Sequence, residues 1–372
     1  MRNLYAHVPH PGFMKPAYDG GSIINLSSSI LASQGVEPRH PPAHLVDPES
    51  LGRVVLIVID GLGADTFDRL AVDLAQYRIG TLTSVFPSTT ASAIPSIMTA
   101  LTPSEHGIFG WFLDDPRYGG VIEPLRFESI AGSLDLDPEE VIDDLGVAEH
   151  SMFAVLDSEL IVPEQISKSP FTCAMACDRP ITGYRYVEEL SRLIPASSAR
   201  FVHVYISLID SISHDHGKRS HEVSLAYAHL ERILMDAFEA LSDATVLITA
   251  DHGQIEVDSI IRFDAWDAVC APPSGDARMT ICRTNASFDE RFTGPIRSYD
   301  PDVLISEGWF GPSKMDPRLR SRLGDRILIP DSNVMLDWPL VGASSKQYRG
   351  AHSGWTREEL EVPLLRFDAK RL

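Results

Sequence analysis

Arg53–Gly61, RVVLIVIDG, is a run of β-branched and apolar residues with no polar alternation, closed by an acid and a glycine. An unbroken apolar run of this length predicts a strand buried on both faces, the central parallel strand of an α/β sheet. Two more segments have the same form. Arg200–Ile209, RFVHVYISLI, runs into Asp210, and Thr245–Ala250 runs into Asp251. Between and around them the sequence predicts helices over Ala64–Gln76, Ala91–Ala100, Glu139–Leu145, Tyr186–Ile194 and Glu222–Leu241. Further strands are predicted over Thr81–Phe86 and Met152–Leu156. Strand–helix alternation of this kind predicts a doubly wound, mostly parallel α/β sheet with helices on both faces. Gly21–Gln34 is predicted as a short helix and Arg126–Ser133 is ambiguous. After Gln254 the alternation stops: a turn cluster at Ala271–Gly275, short strands at Met279–Arg283 and Arg326–Ile329, and loop with short elements over Gly294–Gly311. The expected organisation is a core of residues 1–255 plus 347–372, with Glu361–Phe367 returning to the sheet, and a smaller inserted subdomain over 256–346.

The chain has 372 residues, of which 44% are hydrophobic, a composition ordinary for a globular protein with a large core. Its formal charge of −20 repels phosphate backbones and anionic membrane, so a nucleic-acid polymer is not an expected partner. A small phosphorylated substrate is compatible, because a bound metal can be the largest local charge in its pocket. There is no apolar run long enough to span a membrane and no signal-peptide pattern at the N-terminus. The cysteines, Cys173, Cys177, Cys270 and Cys282, are too few and scattered for a disulfide framework. Cys173 and Cys177 are read as buried thiols. The cytoplasm is the expected compartment.

Ligands of open α/β sheets bind at the carboxyl edge, where Asp60, Asp210 and Asp251 are expected. His214 lies four residues after Asp210, one helical turn on, and so shares its face. Asp251 and His252 are adjacent in ADHGQ, and His352 sits among small residues in RGAHSGW. Mixed Asp/His ligation suits zinc, with Mn²⁺ or Fe²⁺ as alternatives, and this number of ligands fits two divalent ions. Ser88, Thr89 and Thr90 form a run of hydroxyls before the Ala91–Ala100 helix. One of them caps the helix or acts as a nucleophile at an anion-binding helix terminus. His106 and His203 are read as structural, the latter hydrogen-bonded in the core, and His216 and His221 as solvated or supporting residues. Phe109, Trp111, Phe112 and Tyr118 stack on a substrate group or pack in the core.

In order, these motifs resemble the alkaline phosphatase superfamily, and within it the type I phosphodiesterase/nucleotide pyrophosphatase family. They are a strand ending Asp60-Gly61; Thr90 with Ser96-Ile97, Thr99, Pro103 and His106-Gly107; Asp210-x3-His214-x2-Gly217; Asp251-His252-Gly253; and Gly350-x-His352. The resemblance implies Asp210, His214 and His352 around one zinc. It implies Asp60, Asp251 and His252 around the other, with Thr90 as hydroxyl ligand and nucleophile in a two-step reaction through phosphothreonine. The implied substrate is small and phosphorylated, a nucleotide being one option. Many family members carry an Asn three residues after the nucleophile, where it helps bind a phosphoryl oxygen. Here that residue is Ala93, which leaves backbone N–H groups near Thr90 and Ala91 for the task. The alternatives are a phosphomonoesterase or phosphonate hydrolase on the same site, and a non-catalytic metal-dependent binder of phosphorylated ligands.

Overall fold

The computed structural model describes residues 13–126, 128–129, 136–285, 288, 295–338 and 348–369. The N-terminal dozen residues and most of Arg126–Ser133 lie outside them.

Seven strands form the main sheet: β1 (Val54–Ile59), β2 (Arg78–Thr83), β3 (Ser158–Pro163), β4 (Ile181–Tyr184), β5 (Phe201–Ile206), β6 (Ala244–Thr249) and β7 (Glu361–Ala369). Their spatial order is β2-β7-β6-β1-β5-β3-β4. β1 pairs in parallel with both β5 and β6, in register Ile59 with Ile206 and Val58 with Thr249. β7 returns antiparallel between β6 and β2, so it alone runs against the rest. The fully buried side chains of β1 and β6 fit the reading of RVVLIVIDG as a strand covered on both faces. Helices including Ile23–Ser33, Thr90–Thr99 and His221–Glu239 pack on the sheet in one continuous apolar core.

A second, four-stranded antiparallel sheet is built from Ser274–Asp276, Met279–Cys282, Arg326–Pro330 and Ile296–Tyr299. Its apolar face shares a core with the main body: Met279, Ile281 and Ile327 pack with Phe86, Phe109, Trp355 and Leu360.

Three expectations need correction. Met152–Leu156 is not a strand: Ser151 caps a short helix over Met152–Val155, its hydroxyl accepting from Phe153 N, and the strand follows at Ser158–Pro163. Cys173 and Cys177 are not buried. Their helix, Pro170–Ala176, turns Phe171, Met175 and Ala176 inward, which leaves Cys173 on the outer face and Cys177 half-buried at its end. β5 ends at Ile206, so Asp210 belongs to the first turn of the helix Leu208–His216 rather than to a strand end.

Candidate active site

Asp60 leaves β1, Asp251 follows β6, and the helix after β5 carries Asp210. These three strands are neighbours, so the carboxylates converge at one sheet edge. The helix places Asp210 and His214 as their spacing predicts, with His214 Nε2 3.3 Å from Asp210 Oδ2. The loop Gly350–Trp355 brings in His352, whose Nε2 lies 3.2 Å from His214 Nε2 and 3.8 Å from Asp210 Oδ1. His252 Nε2 stands 3.5 Å from both Asp60 Oδ1 and Asp251 Oδ2, and its ring stacks on His352 with centroids 3.8 Å apart. Two ligand-sized clusters emerge among the described residues: Asp60, Asp251 and His252, and Asp210, His252 and His352. His214 adjoins the second.

The three adjacent hydroxyls have different fates. Ser88 is buried and donates to the Gly354 carbonyl at 2.7 Å; Thr89 is buried and donates to Asp276 Oδ2 at 2.8 Å. Thr90 is partly exposed, and its Oγ1 lies 3.1 Å from His252 Nε2 and 3.4 Å from Asp60 Oδ1. It is the hydroxyl of the three that meets the clusters.

The donor set fits a cation. His214, His252 and His352 each place Nδ1 against a backbone carbonyl, of Gly350, Gly253 and Ser88 at 2.8, 3.0 and 3.1 Å. Protonating Nδ1 in these bonds turns each Nε2 lone pair into the site, as in metal-ligating histidines. The facing lone pairs of His214 and His352 repel unless a positive charge sits between them. Asp251 Oδ2 is buried without a hydrogen-bond partner in the described structure, a costly state for a carboxylate. Burial, then the charges of Asp251 and Asp210, push the Asp60 carboxyl well above the usual range. Burial opposes ionisation of Asp210 too, but His214 and His352 outweigh it and hold that carboxyl low. Burial, then the neighbouring His252, holds His352 neutral.

Several residues at the site were not anticipated. Tyr205 on β5 donates its hydroxyl to Asp60 Oδ2, and Gln254 donates its amide to Asp210 Oδ1. Asp276, from the small sheet, lies beside Thr89. Nothing in the sequence marks Tyr205 or Asp276, whereas Gln254, directly after the Asp251-His252-Gly253 motif, could have been found by position. A cavity of about 570 Å³ opens over the site, walled by Trp111, Phe112, Trp338 and Tyr348. Phe109 and Tyr118 are instead buried, Phe109 against Phe310. His106 is buried, bonded to Ser96 Oγ, and away from the clusters. His203 is a core residue, but its Nδ1 has no hydrogen-bond partner in the described structure, contrary to expectation.

A family model for type I phosphodiesterase/nucleotide pyrophosphatase matches residues 54–269. The chain belongs to the type I phosphodiesterase/nucleotide pyrophosphatase family. It is accordingly an enzyme, a phosphodiesterase/nucleotide pyrophosphatase-like hydrolase of the alkaline phosphatase superfamily. No curated protein matches its sequence. Among solved structures, murine ectonucleotide pyrophosphatase/phosphodiesterase 5 aligns with a TM-score of 0.61 at 14% identity, over 86% of this chain and 88% of that one. An inactive variant of the same protein, in complex with AMP, matches equally. Phosphonoacetate hydrolase from Sinorhizobium meliloti 1021, in complex with phosphonoformate, aligns with a TM-score of 0.57 at 15% identity, over 86% and 91% of the two chains. At these identities the likenesses establish the fold. No helix among the described residues is long and apolar enough to cross a membrane.

Proposed function

We propose that this family member hydrolyses phosphodiester or pyrophosphate bonds at a two-metal site, through a phosphothreonine on Thr90. The observation that carries the reading is the position of the Thr90 hydroxyl, turned to His252 and Asp60 while Ser88 and Thr89 are engaged elsewhere. Asp210, His214 and His352 would hold one ion, and Asp60, Asp251 and His252 the other, with Thr90 beside it. Zinc suits this mixed oxygen and nitrogen set. Such ions, when bound, lower the pKa of a hydroxyl and offset charge on the phosphoryl group.

The chain's own part is positioning. Thr90 Oγ bonds to phosphorus as the ester oxygen opposite it leaves, and water then cleaves the Oγ–P bond, so Thr90 recovers its proton. Tyr205 and Gln254 fix one oxygen of Asp60 and of Asp210, which orients the other. The aromatic wall of the cavity offers rings for an organic substituent of the ester, a nucleoside included. Residues 256–346 are taken as a subdomain that roofs this cavity. The four cysteines, all free, support a reducing compartment such as the cytoplasm.

The test compares bis-p-nitrophenyl phosphate, p-nitrophenyl phosphate and phosphonoacetate on zinc-loaded protein, with metal content measured alongside. Diester preference and about two ions per chain are expected, with loss of turnover in Thr90→Ala. Preference for the monoester or the phosphonate refutes the substrate assignment. Full activity in Thr90→Ala refutes the nucleophile.

A further inference from the structure

One ammonium group joins the segments that carry the candidate ligands. Lys218 comes just after the helix Leu208–His216, which bears Asp210 and His214, and is 2% exposed. Its Nζ donates to Asp65 Oδ2 at 2.8 Å, to the Gln254 carbonyl at 2.7 Å and to the Glu358 carboxylate. An ammonium has three N–H donors, and each of them is used. Asp65 lies in the helix Ala64–Leu70, which follows Asp60. Gln254 follows Asp251 and His252 directly in the chain. Glu358 lies in the short helix Arg357–Leu360, after the loop that carries His352. The helix Ala64–Leu70 grips Lys218 twice, because Arg69 Nη2, one turn on from Asp65, donates to the Lys218 carbonyl at 2.6 Å.

Side-chain packing does not set the spacing of these loops. They meet through glycines: a Cβ on Gly63 would stand 2.9 Å from the Gly253 Cα, and one on Gly253 would stand 2.1 Å from the Glu358 carbonyl oxygen. Backbones that approach so closely leave no room for a side chain between them. The ammonium sits beside this junction and reaches a ligand through one residue. Gln254, whose carbonyl it holds, donates its side-chain amide to Asp210 Oδ1.

We propose that Lys218 is a positioning residue: its ammonium fixes the segments bearing Asp60, Asp251–His252, Asp210–His214 and His352 at the separation that binds a pair of divalent ions. The inference rests on the two-metal reading above. It accounts for a lysine buried where an apolar side chain of similar length would give comparable stability, since a buried ion pair adds little net stability but selects one arrangement of the chain.

The test titrates zinc into the metal-free chain against a competing chelator, at a temperature where the variants are folded. Co²⁺ absorption reports ligand geometry, and the melting temperature of the metal-free protein is recorded alongside. The variants are Lys218→Met, Asp65→Ala and a control, Leu234→Ala, which opens a void in the core on the helix His221–Glu239. Lys218→Met is expected to weaken zinc binding by about 10–100-fold, the usual effect of disturbing what orients a ligand, and to alter the Co²⁺ spectrum. The side chains of Asp65 and Glu358 are 40% and 39% exposed, so water takes over their carboxylates and the metal-free melting temperature falls less than in Leu234→Ala. Asp65→Ala removes one of the three acceptors and is expected to bind zinc with an affinity between those of Lys218→Met and wild type. It carries the test alone if Lys218→Met does not fold. Leu234→Ala loses melting temperature and keeps both zinc affinity and Co²⁺ spectrum, which is how a merely structural lysine would behave. Wild-type zinc affinity in Lys218→Met, or in Asp65→Ala where that variant stands alone, overturns the proposal. A single ion on the wild type refutes the two-metal reading instead, and the affinity for that ion across the variants still decides the role of Lys218. No zinc on the wild type overturns both.

Discussion

Glu359→Gln is expected to unsettle both the fold and the site, although the residue lies outside the ligand clusters. Glu359 and Arg278 are both fully buried. The Glu359 carboxylate accepts from Arg278 Nε at 2.6 Å and Nη2 at 3.0 Å, from Gly354 N at 2.8 Å, and from Thr356 N and Oγ1 at 3.1 and 2.7 Å. Burial opposes its ionisation, but Arg278 and these donors outweigh burial and hold the carboxyl below its usual range. The glutamine has the same size, yet turns one acceptor into a donor and leaves the buried guanidinium uncompensated. Breaking a buried pair in this way costs about 3–5 kcal/mol. That is a large share of a total stability of roughly 5–15 kcal/mol. Urea unfolding at neutral pH measures it as a shift in midpoint at constant slope.

The same change reaches the proposed metal ligands through the chain. Arg278 N donates to Ser353 Oγ at 3.1 Å, and Gly354 is tied directly to Glu359, so the pair holds the loop that carries His352. Zinc affinity should fall by about 10–100-fold, the usual effect of disturbing the support of a ligand. Replacing both partners, Arg278→Met with Glu359→Leu, should restore only part of the stability, because buried Gly354 N and half-buried Thr356 N would lose their acceptor. A loss below about 1 kcal/mol in Glu359→Gln, the size of a surface pair, would refute the reasoning.

Three further outcomes concern charge and bound ions. Burial pushes His203 down to about 4, from 6.5. The unfolded chain takes up that proton below pH 6.5 and the native protein only below about 4, so stability falls as pH drops through this window, by about 3 kcal/mol. His203→Leu should flatten the urea midpoint between pH 6.5 and 4, and parallel curves would exclude the effect. Chelation should lower the melting temperature, since a ligand at about 100 times its dissociation constant contributes about 2.7 kcal/mol. In the chelated protein, Asp251→Asn should raise the melting temperature by removing a like charge from the cluster, and abolish most of the gain on adding zinc. A lower melting temperature for Asp251→Asn in chelator would contradict the picture of mutual repulsion.

The parts legible in the sequence are those governed by short-range pattern. RVVLIVIDG announced a central strand because its side chains face apolar neighbours on both sides. Asp210 and His214 meet because a helical turn separates them, even though the strand before them ends at Ile206, short of the apolar run. Met152–Val155 misled because a short apolar run fits a strand or a buried helix equally, and Ser151 decided for the helix by capping it. Tyr205, Asp276 and Arg278 were silent because their importance depends on partners far along the chain: Thr89 and Asp276 are 187 positions apart, and Tyr205 and Asp60 are 145.

The acids themselves follow from sheet order. β6, β1 and β5 are adjacent, and parallel strands lie about 4.8 Å apart. Asp60 and Asp251, just beyond the same ends of adjacent strands, come within a few ångströms of each other, and the first turn of the helix after β5 brings Asp210 to join them. A sheet edge built this way accumulates like charge, and neutral donors such as Tyr205 and Gln254 relieve only part of it. The arrangement is stable when cations occupy the edge. In the proposed two-metal reading, repulsion that would count as a folding defect in a structural protein is what ion binding relieves. It also explains why the hydroxyl at the neighbouring helix end is Thr90, the one side chain of its trio that points into that field.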